Sequence, residues 1–335
     1  MSVKVLLTGA TGFLGGYVIR EILEHQGLSV VAVGRNEKRG KELEAISDLV
    51  HFVRADLTDK EQLKTIFENE KPDYVIHTGA LSSAWGKYED FYNANVLATR
   101  YIAELCIDYS VKRMVYISSP SIYTAKRDRL NIKEDDFDPN NKLNFYIRTK
   151  LISESELHEL EKKGLDLAIL RPRGLIGPGD PSLMPRLMRA NGKIGIPLIR
   201  KGKITVDITC VQNVAYACYL AMSAEGAKGH TFNITNGEPS EFGKLLELFC
   251  EEAGEQAKFL HLPFGLLYVV AAIMEFFYTI LPTKKEPMLT RYTVCTLSFS
   301  QSLDISKAKA ILGYTPKISL KEGIREYGKW WQTNK

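Results

Sequence analysis

Cysteine is scarce in this chain: five thiols in 335 residues, at Cys106, Cys210, Cys218, Cys250 and Cys295. They are odd in number, widely scattered and never paired as CxxC. That pattern argues against a disulfide framework and a metal site, and it fits a reducing compartment. No block of one charge sign occurs either. The formal charge of +4 arises from interspersed cations and acids, so nothing points to nucleic acid. The N-terminus runs straight into "VKVLLTG", without the basic region, apolar stretch and cleavage site of a signal peptide, and a cytoplasmic location is expected. Internal repeats and low-complexity tracts are also missing. What is present is ordinary globular composition, 45% hydrophobic and 25% charged. The length suits one large domain with a smaller one appended.

The first half alternates short apolar runs with amphipathic segments. "VKVLL", "SVVAV", "HFVRA", "YVIHT" and "RMVYIS" read as buried strands, each too short for a buried helix. Between them, "FLGGYVIREILEHQ", "DKEQLKTIFEN" and "ATRYIAELCIDYS" read as helices. This rhythm implies right-handed crossovers and an α/β fold built on a doubly wound parallel sheet. Past about residue 172 the rhythm loosens among Gly and Pro breaks. The expected division is a Rossmann domain over 1–171 with part of 204–235, and a smaller substrate-binding α/β domain drawn mainly from 172–335.

"TGATGFLGG", residues 8 to 16, follows the first strand and opens the first helix. A glycine-rich turn there lets the backbone approach a pyrophosphate at a helix N-terminus. Gly9, Gly12 and Gly15, with Thr11, Phe13 and Leu14 among them, are therefore expected to hold a dinucleotide. Its identity turns on the end of the second strand, "VVAVGRNEK". A carboxylate at this place accepts from the adenosine ribose and repels a 2′-phosphate. The position carries Gly34 followed by Arg35, and a guanidinium can clamp a phosphate bidentately. NADP(H) is favoured, with NAD(H) as the alternative. Asp56 and Leu57 after the third strand fall near the adenine, and Gly79 and Ala80 after the fourth run along the cofactor.

These motifs resemble those of the extended short-chain dehydrogenase/reductases, the NAD-dependent epimerase/dehydratase superfamily, nearly end to end. "TGATGFLG", "NANVLAT" with Asn95, "YISSPSIY" after the fifth strand, and Tyr146-x-x-x-Lys150 carry the likeness. The resemblance implies catalysis by Ser119, Tyr146 and Lys150, with Asn95 in either a catalytic or a purely structural role. Tyrosine ionises near pH 10 in isolation, and a lysine one turn away can stabilise its phenolate. Tyr146 would then pass a proton to or from the substrate oxygen. Ser119 would donate to that oxygen, Lys150 would hold the nicotinamide ribose, and Pro172 would bring backbone against the nicotinamide. Homodimerisation through the helices carrying Asn95 and Tyr146 is also implied.

Downstream features narrow the branch. Where nucleotide-sugar epimerases carry an asparagine for the substrate diphosphate, this chain carries Gly174, which argues against a sugar nucleotide. Thr124 replaces a glycine common in relatives, and Val211 to Ala215 are expected to pack a strand–helix junction. "ITNGEPSEFGKLLE", "PMLTRYTV" and "DISKAKAILGYTPKISLKEGI" are similar to the 3β-hydroxysteroid dehydrogenase and 2-alkyl-3-oxoalkanoate reductase branch, which implies a small hydrophobic substrate. Residues 262–282, "LPFGLLYVVAAIMEFFYTILP", approach the length of a membrane span but contain Glu275. They are expected to form a helix over the substrate cleft, its apolar side chains lining the pocket, with one of Phe276 and Phe277 packed on the body. Peripheral contact with a bilayer is the second reading. The expected activity is NADP(H)-dependent interconversion of a secondary alcohol and a ketone on a hydrophobic substrate, a 3-oxo acyl compound or a sterol-like ring. A nucleotide-sugar epimerase or dehydratase is the enzymatic alternative, and a non-catalytic NADP-sensing regulator is the alternative from outside enzymology.

Overall fold

The computed structural model describes residues 2–181, 183–281 and 286–334. Seven parallel strands form the central sheet: β1 (Val3–Thr8), β2 (Leu28–Gly34), β3 (Val50–Arg54), β4 (Tyr74–His77), β5 (Arg113–Ile117), β6 (Leu167–Pro172) and β7 (His230–Ile234). Their spatial order is β7-β6-β5-β4-β1-β2-β3. The strands are short apolar runs, buried on both faces by helices, which is why they read as continuous rather than alternating. One apolar layer, including Val5, Leu7, Ile19 and Val214, fills the space under α1 (Phe13–Leu23) and α6 (Val211–Ser223). The other, including Leu6, Val31, Phe67 and Ile102, packs beneath α3 (Lys60–Glu70), α4 (Ala98–Asp108) and α5 (Phe145–Glu161). Between α1 and α3, α2 (Glu37–Glu44) starts at Asn36, whose side chain accepts from Arg39 N.

The strand order reverses on either side of β1, so β1 and β4 diverge into opposite crossovers and leave a crevice at their carboxyl ends. Ligands of doubly wound sheets sit in that crevice. The remaining chain builds a smaller C-terminal unit with its own core, including Ile176, Met188, Leu198, Leu246, Phe249 and Tyr327. Two of its helices are α7 (Phe264–Ile280) and α8 (Arg291–Ser298). A four-stranded sheet ties it to the rest, pairing Gln301–Leu303 with Arg129–Ile132 and with Thr205–Val206.

Asn213 opens α6 and is fully buried. It donates to Asn236 Oδ1 and Ile318 O and accepts from the Lys317 and Ile318 amides. Its place in the "VxNVA" run is thus a junction that fastens the C-terminal segment to the sheet.

Candidate functional site

The turn after β1 is bare backbone. Gly9 has φ +71°, and a Cβ there would lie 2.6 Å from Gly79 N. A Cβ on Gly15 would lie 2.5 Å from Gly9 O. Any larger residue would therefore push the turn away from β4 or from the first helical turn. Gly12 caps α1 with no side-chain hydrogen bond, and Phe13 and Leu14 begin the helix. The first amides of α1 consequently point into the crevice, a cradle that fits a diphosphate.

Thr11 has a second task. A Cβ on Gly34 would fall 2.6 Å from Thr11 Oγ1, so an acidic side chain at the end of β2 would have to displace Thr11. Arg35 follows, exposed. Asp56 accepts from Thr58 N at 3.0 Å and from Thr58 Oγ1 at 2.8 Å. Those bonds hold its carboxyl below the usual range, and Arg35 adds a smaller pull through space. Leu57 reaches Gly79, with Cδ1 2.5 Å from where a Cβ would stand. Ala80 continues the same rim. These cofactor candidates therefore lie at four strand ends, those of β1 to β4.

The second cluster lies along the carboxyl ends of β5 and β6. Ile117 pairs with Leu170, and continuing that register carries Ser119 and Pro172 to one edge. Ser119 is buried and accepts from Ser121 N. It also donates to Ser121 Oγ at 3.0 Å, and Ser121 Oγ lies 2.7 Å from Tyr292 Oη on α8. Tyr146 lies on the first turn of α5, where Asn144 caps the helix by accepting from Ile147 N at 2.8 Å. Burial raises the Tyr146 phenol above its ordinary value, and the nearby hydroxyls of Ser119 and Ser82 oppose that rise. Tyr123, the other tyrosine of the motif, donates to Asn233 Oδ1 at 2.8 Å and accepts from Arg171 at 2.6 Å. Arg171 also pairs with buried Glu154. Tyr123 is locked, and Tyr146 is the tyrosine near Ser119.

Lys150 is 1% exposed. Its Nζ donates to Tyr116 Oη at 3.0 Å and to Ile117 O at 2.9 Å. Burial lowers the ammonium to about 7, with Glu154 opposing. No hydrogen bond joins Lys150 to Tyr146. Tyr116 in turn lies beside the hydroxyls of Ser153 and Thr99. Thr99 sits 2.9 Å from His77 Nε2, and burial depresses His77 to about 3, so the imidazole is neutral.

Asn95 stands behind this cluster. It falls in a π-helical turn, Tyr92–Leu97, where the widened ladder leaves its carbonyl to accept from Thr99 and Ser153 hydroxyls at 2.6 and 2.7 Å. Its side chain accepts from Leu81 N and donates to Leu81 O and Thr149 Oγ1. Asn95 thus braces the loop after β4 against α5.

Residues 5–235 match the family model for the NAD-dependent epimerase/dehydratase family. The chain belongs to that family. Among its relatives, a 2-alkyl-3-oxoalkanoate reductase of Shewanella oneidensis is 30% identical over 95% of this chain and 84% of its own. A decarboxylating sterol-4-alpha-carboxylate 3-dehydrogenase of Schizosaccharomyces pombe is 30% identical over 100% of this chain and 99% of its own. The crystal structure of UDP-glucuronic acid 4-epimerase from Bacillus cereus with NAD shares the fold, with TM-score 0.77 and 22% identity over 98% of this chain and 99% of that one. Membership makes this chain an NAD(P)-dependent enzyme among dehydrogenases and reductases of CH–OH groups.

For this family member, α7 differs from the expected pocket-lining helix. Only Ala271 and Glu275 are buried along it, while Phe264, Leu267 and Tyr268 pack inward against Ile199 and Val294. Phe276 and Phe277 are 62% and 54% exposed, so neither packs on the body. The cause is visible in the spacing: Leu266, Val269, Val270, Ile273, Phe277 and Ile280 recur every three or four residues on the outward face. Glu275, the charge that argues against a span, turns inward and accepts from Arg291 N at 2.7 Å and from Arg291 Nε. Pro282, the last residue of the 262–282 segment, lies outside the described residues. Among the described residues no helix is long and apolar enough to cross a membrane.

Three residues of the cluster escape a reading of the sequence alone. Tyr292 is 171 positions from Ser121, and only the fold joins them. Tyr116 hides inside a strand that reads as core. Arg173, next to Pro172, looks like one more loop cation until its burial is seen.

Proposed function

We propose that this enzyme interconverts a secondary alcohol and a ketone on an apolar substrate, using NADP(H). The observation that carries it is Tyr146 beside the Ser119 hydroxyl, on the rim shared by β5 and β6. With its diphosphate held by the glycine turn, the cofactor would supply or accept hydride through its nicotinamide. In the reducing direction Tyr146 gives its proton to the carbonyl oxygen, and Ser119 donates a hydrogen bond to the same oxygen. Ser121 and Tyr292 orient Ser119. Lys150 offers its ammonium to the ribose hydroxyls from the buried side, in a place where Tyr116 and Ile117 O already fix its direction.

Arg35 and the exclusion of a carboxylate by Thr11 support NADP(H) over NAD(H). Both relatives are named for substrates with a carboxylate one carbon from the oxygen-bearing carbon, and we propose the same arrangement here. A nucleotide-sugar epimerase is disfavoured by Gly174, which has no side chain to bind a diphosphate and whose left-handed φ of +52° strains any replacement. NADPH oxidation, measured beside NADH across a panel of alkyl ketones, tests the proposal. Turnover rising with alkyl length supports it, and activity confined to sugar nucleotides rejects it.

A lipid surface is the partner proposed for the outer face of α7. The helix is 17 residues long, or about 25 Å. Its outward side carries no charge, and exposed Lys258 precedes it. Lys284 and Lys285 follow it in the sequence. An apolar stripe bracketed by cations matches an anionic bilayer. On its inner side Lys126 Nζ, in the loop that follows Tyr123, lies 4.2 Å over the Tyr268 ring.

A further inference from the structure

Arg173 follows the last residue of β6, on the same rim as Ser119, and is 7% exposed. Its backbone is fastened at both ends: the amide donates to Ile234 O at 3.0 Å, and the carbonyl accepts from Thr209 Oγ1. Among the described residues its guanidinium has no hydrogen-bond or ion-pair partner. Asp207 is near enough to act through space, but its carboxylate accepts from Leu303 N at 2.7 Å and forms no ion pair with Arg173. Tyr292 is the other ionisable neighbour, and through Ser121 it leads back to Ser119. A buried cation without a direct ion pair is costly even with a carboxylate nearby, and burial indeed depresses this guanidinium below its ordinary value. Such a cost is sustained where a ligand supplies the missing charge. Arg171, two residues earlier, shows the contrast: it is equally buried and fully paired with Glu154.

We infer that Arg173 is the anion-recognition group of the substrate pocket, and that it takes a carboxylate borne on the carbon next to the reacting carbonyl or alcohol carbon. The inference rests on the hydride-transfer proposal and its carboxylate-bearing substrates, 3-oxo and 3-hydroxy acids, and names the residue that recognises that carboxylate. The cofactor's phosphates would be the other anions within the enzyme, but the diphosphate falls to the glycine turn after β1, three strands from β6, and the 2′-phosphate to Arg35 beyond β2. Planar, bidentate recognition of a carboxylate is the task for which a guanidinium is suited.

The test is titration of the NADP⁺-loaded protein with a 3-hydroxy acid and with its methyl ester of equal chain length. Wild type, Arg173→Met and Arg173→Lys are compared, with melting temperature and NADP⁺ affinity recorded for each. Wild type should bind the acid about 10- to 100-fold more tightly than the ester. Arg173→Met should bring that ratio close to one, Arg173→Lys should keep part of it, and Arg173→Met should melt no lower than wild type. An acid-to-ester ratio near one in wild type, or an unchanged ratio in Arg173→Met, overturns the inference. So does a loss of NADP⁺ affinity in Arg173→Met while the ratio stands. Turnover of the same pair is read separately. Selective binding with no hydride transfer strikes the underlying function and leaves the Arg173 assignment standing.

Discussion

Lys150 donates to the hydroxyl of Tyr116 at 3.0 Å, from within a core where its side chain is almost wholly enclosed. Tyr116 is therefore the residue that aims the ammonium. Tyr116→Phe removes the acceptor and leaves a buried charge with Ile117 O alone. Unfolding in urea should show a loss of about 1–3 kcal/mol, the cost of stranding a buried polar group. Unchanged stability would mean that the hydrogen bond does not hold Lys150.

The same burial makes a pH signature. Lys150 titrates at about 7 in the folded chain, against 10.5 for a free lysine. Between those values the unfolded chain binds the proton more tightly, so this group makes stability rise with pH across that window. Below it the penalty is fully present. His77, depressed to about 3, stays neutral throughout and adds nothing there. The stability of wild type relative to Lys150→Met should therefore climb from pH 7 toward pH 10 in the cofactor-free protein. A flat difference across that range would show that the ammonium is not penalised.

Much of the fold was legible because its strands are uninterrupted apolar runs and its helices keep a 3.6-residue period. The glycine turn was equally legible, since each glycine answers a contact that a Cβ would break. What escaped was set by distance along the chain or by orientation. Tyr292 reaches Ser121 only after the C-terminal unit folds back over β5. Arg173 and Arg171 look alike as letters, yet one is paired and the other is not. In α7 the composition was read correctly as apolar, but its rotation about its own axis was not. Glu275 settled that rotation by turning toward Arg291, which put both phenylalanines outside.

Arg35 supplies a prediction on cofactor choice. NADPH should bind more tightly than NADH, and Arg35→Ala should narrow the gap by about 1.5–3 kcal/mol, the range for a charged hydrogen bond. Direct titration with both cofactors measures it. Equal affinities in the unmutated chain would remove the role given to Arg35.

The outer face of α7 should carry the protein onto anionic vesicles. Phe276→Ser with Phe277→Ser should weaken co-sedimentation by about 3 kcal/mol or more, since burying each ring contributes about 1.5–3 kcal/mol. High salt should weaken it further by screening the flanking lysines. A concentration-dependent dimer lost in the double variant, without vesicle binding, would assign the face to a second copy of the chain.

The central claim is that Tyr146 is the proton donor to the substrate oxygen. Its most direct test is Tyr146→Phe, with NADPH binding measured by titration and ketone reduction followed by NADPH oxidation. The variant should bind cofactor as wild type does and lose turnover by about 10²-fold or more, the usual contribution of a positioned acid. Turnover near the wild-type rate would contradict the account.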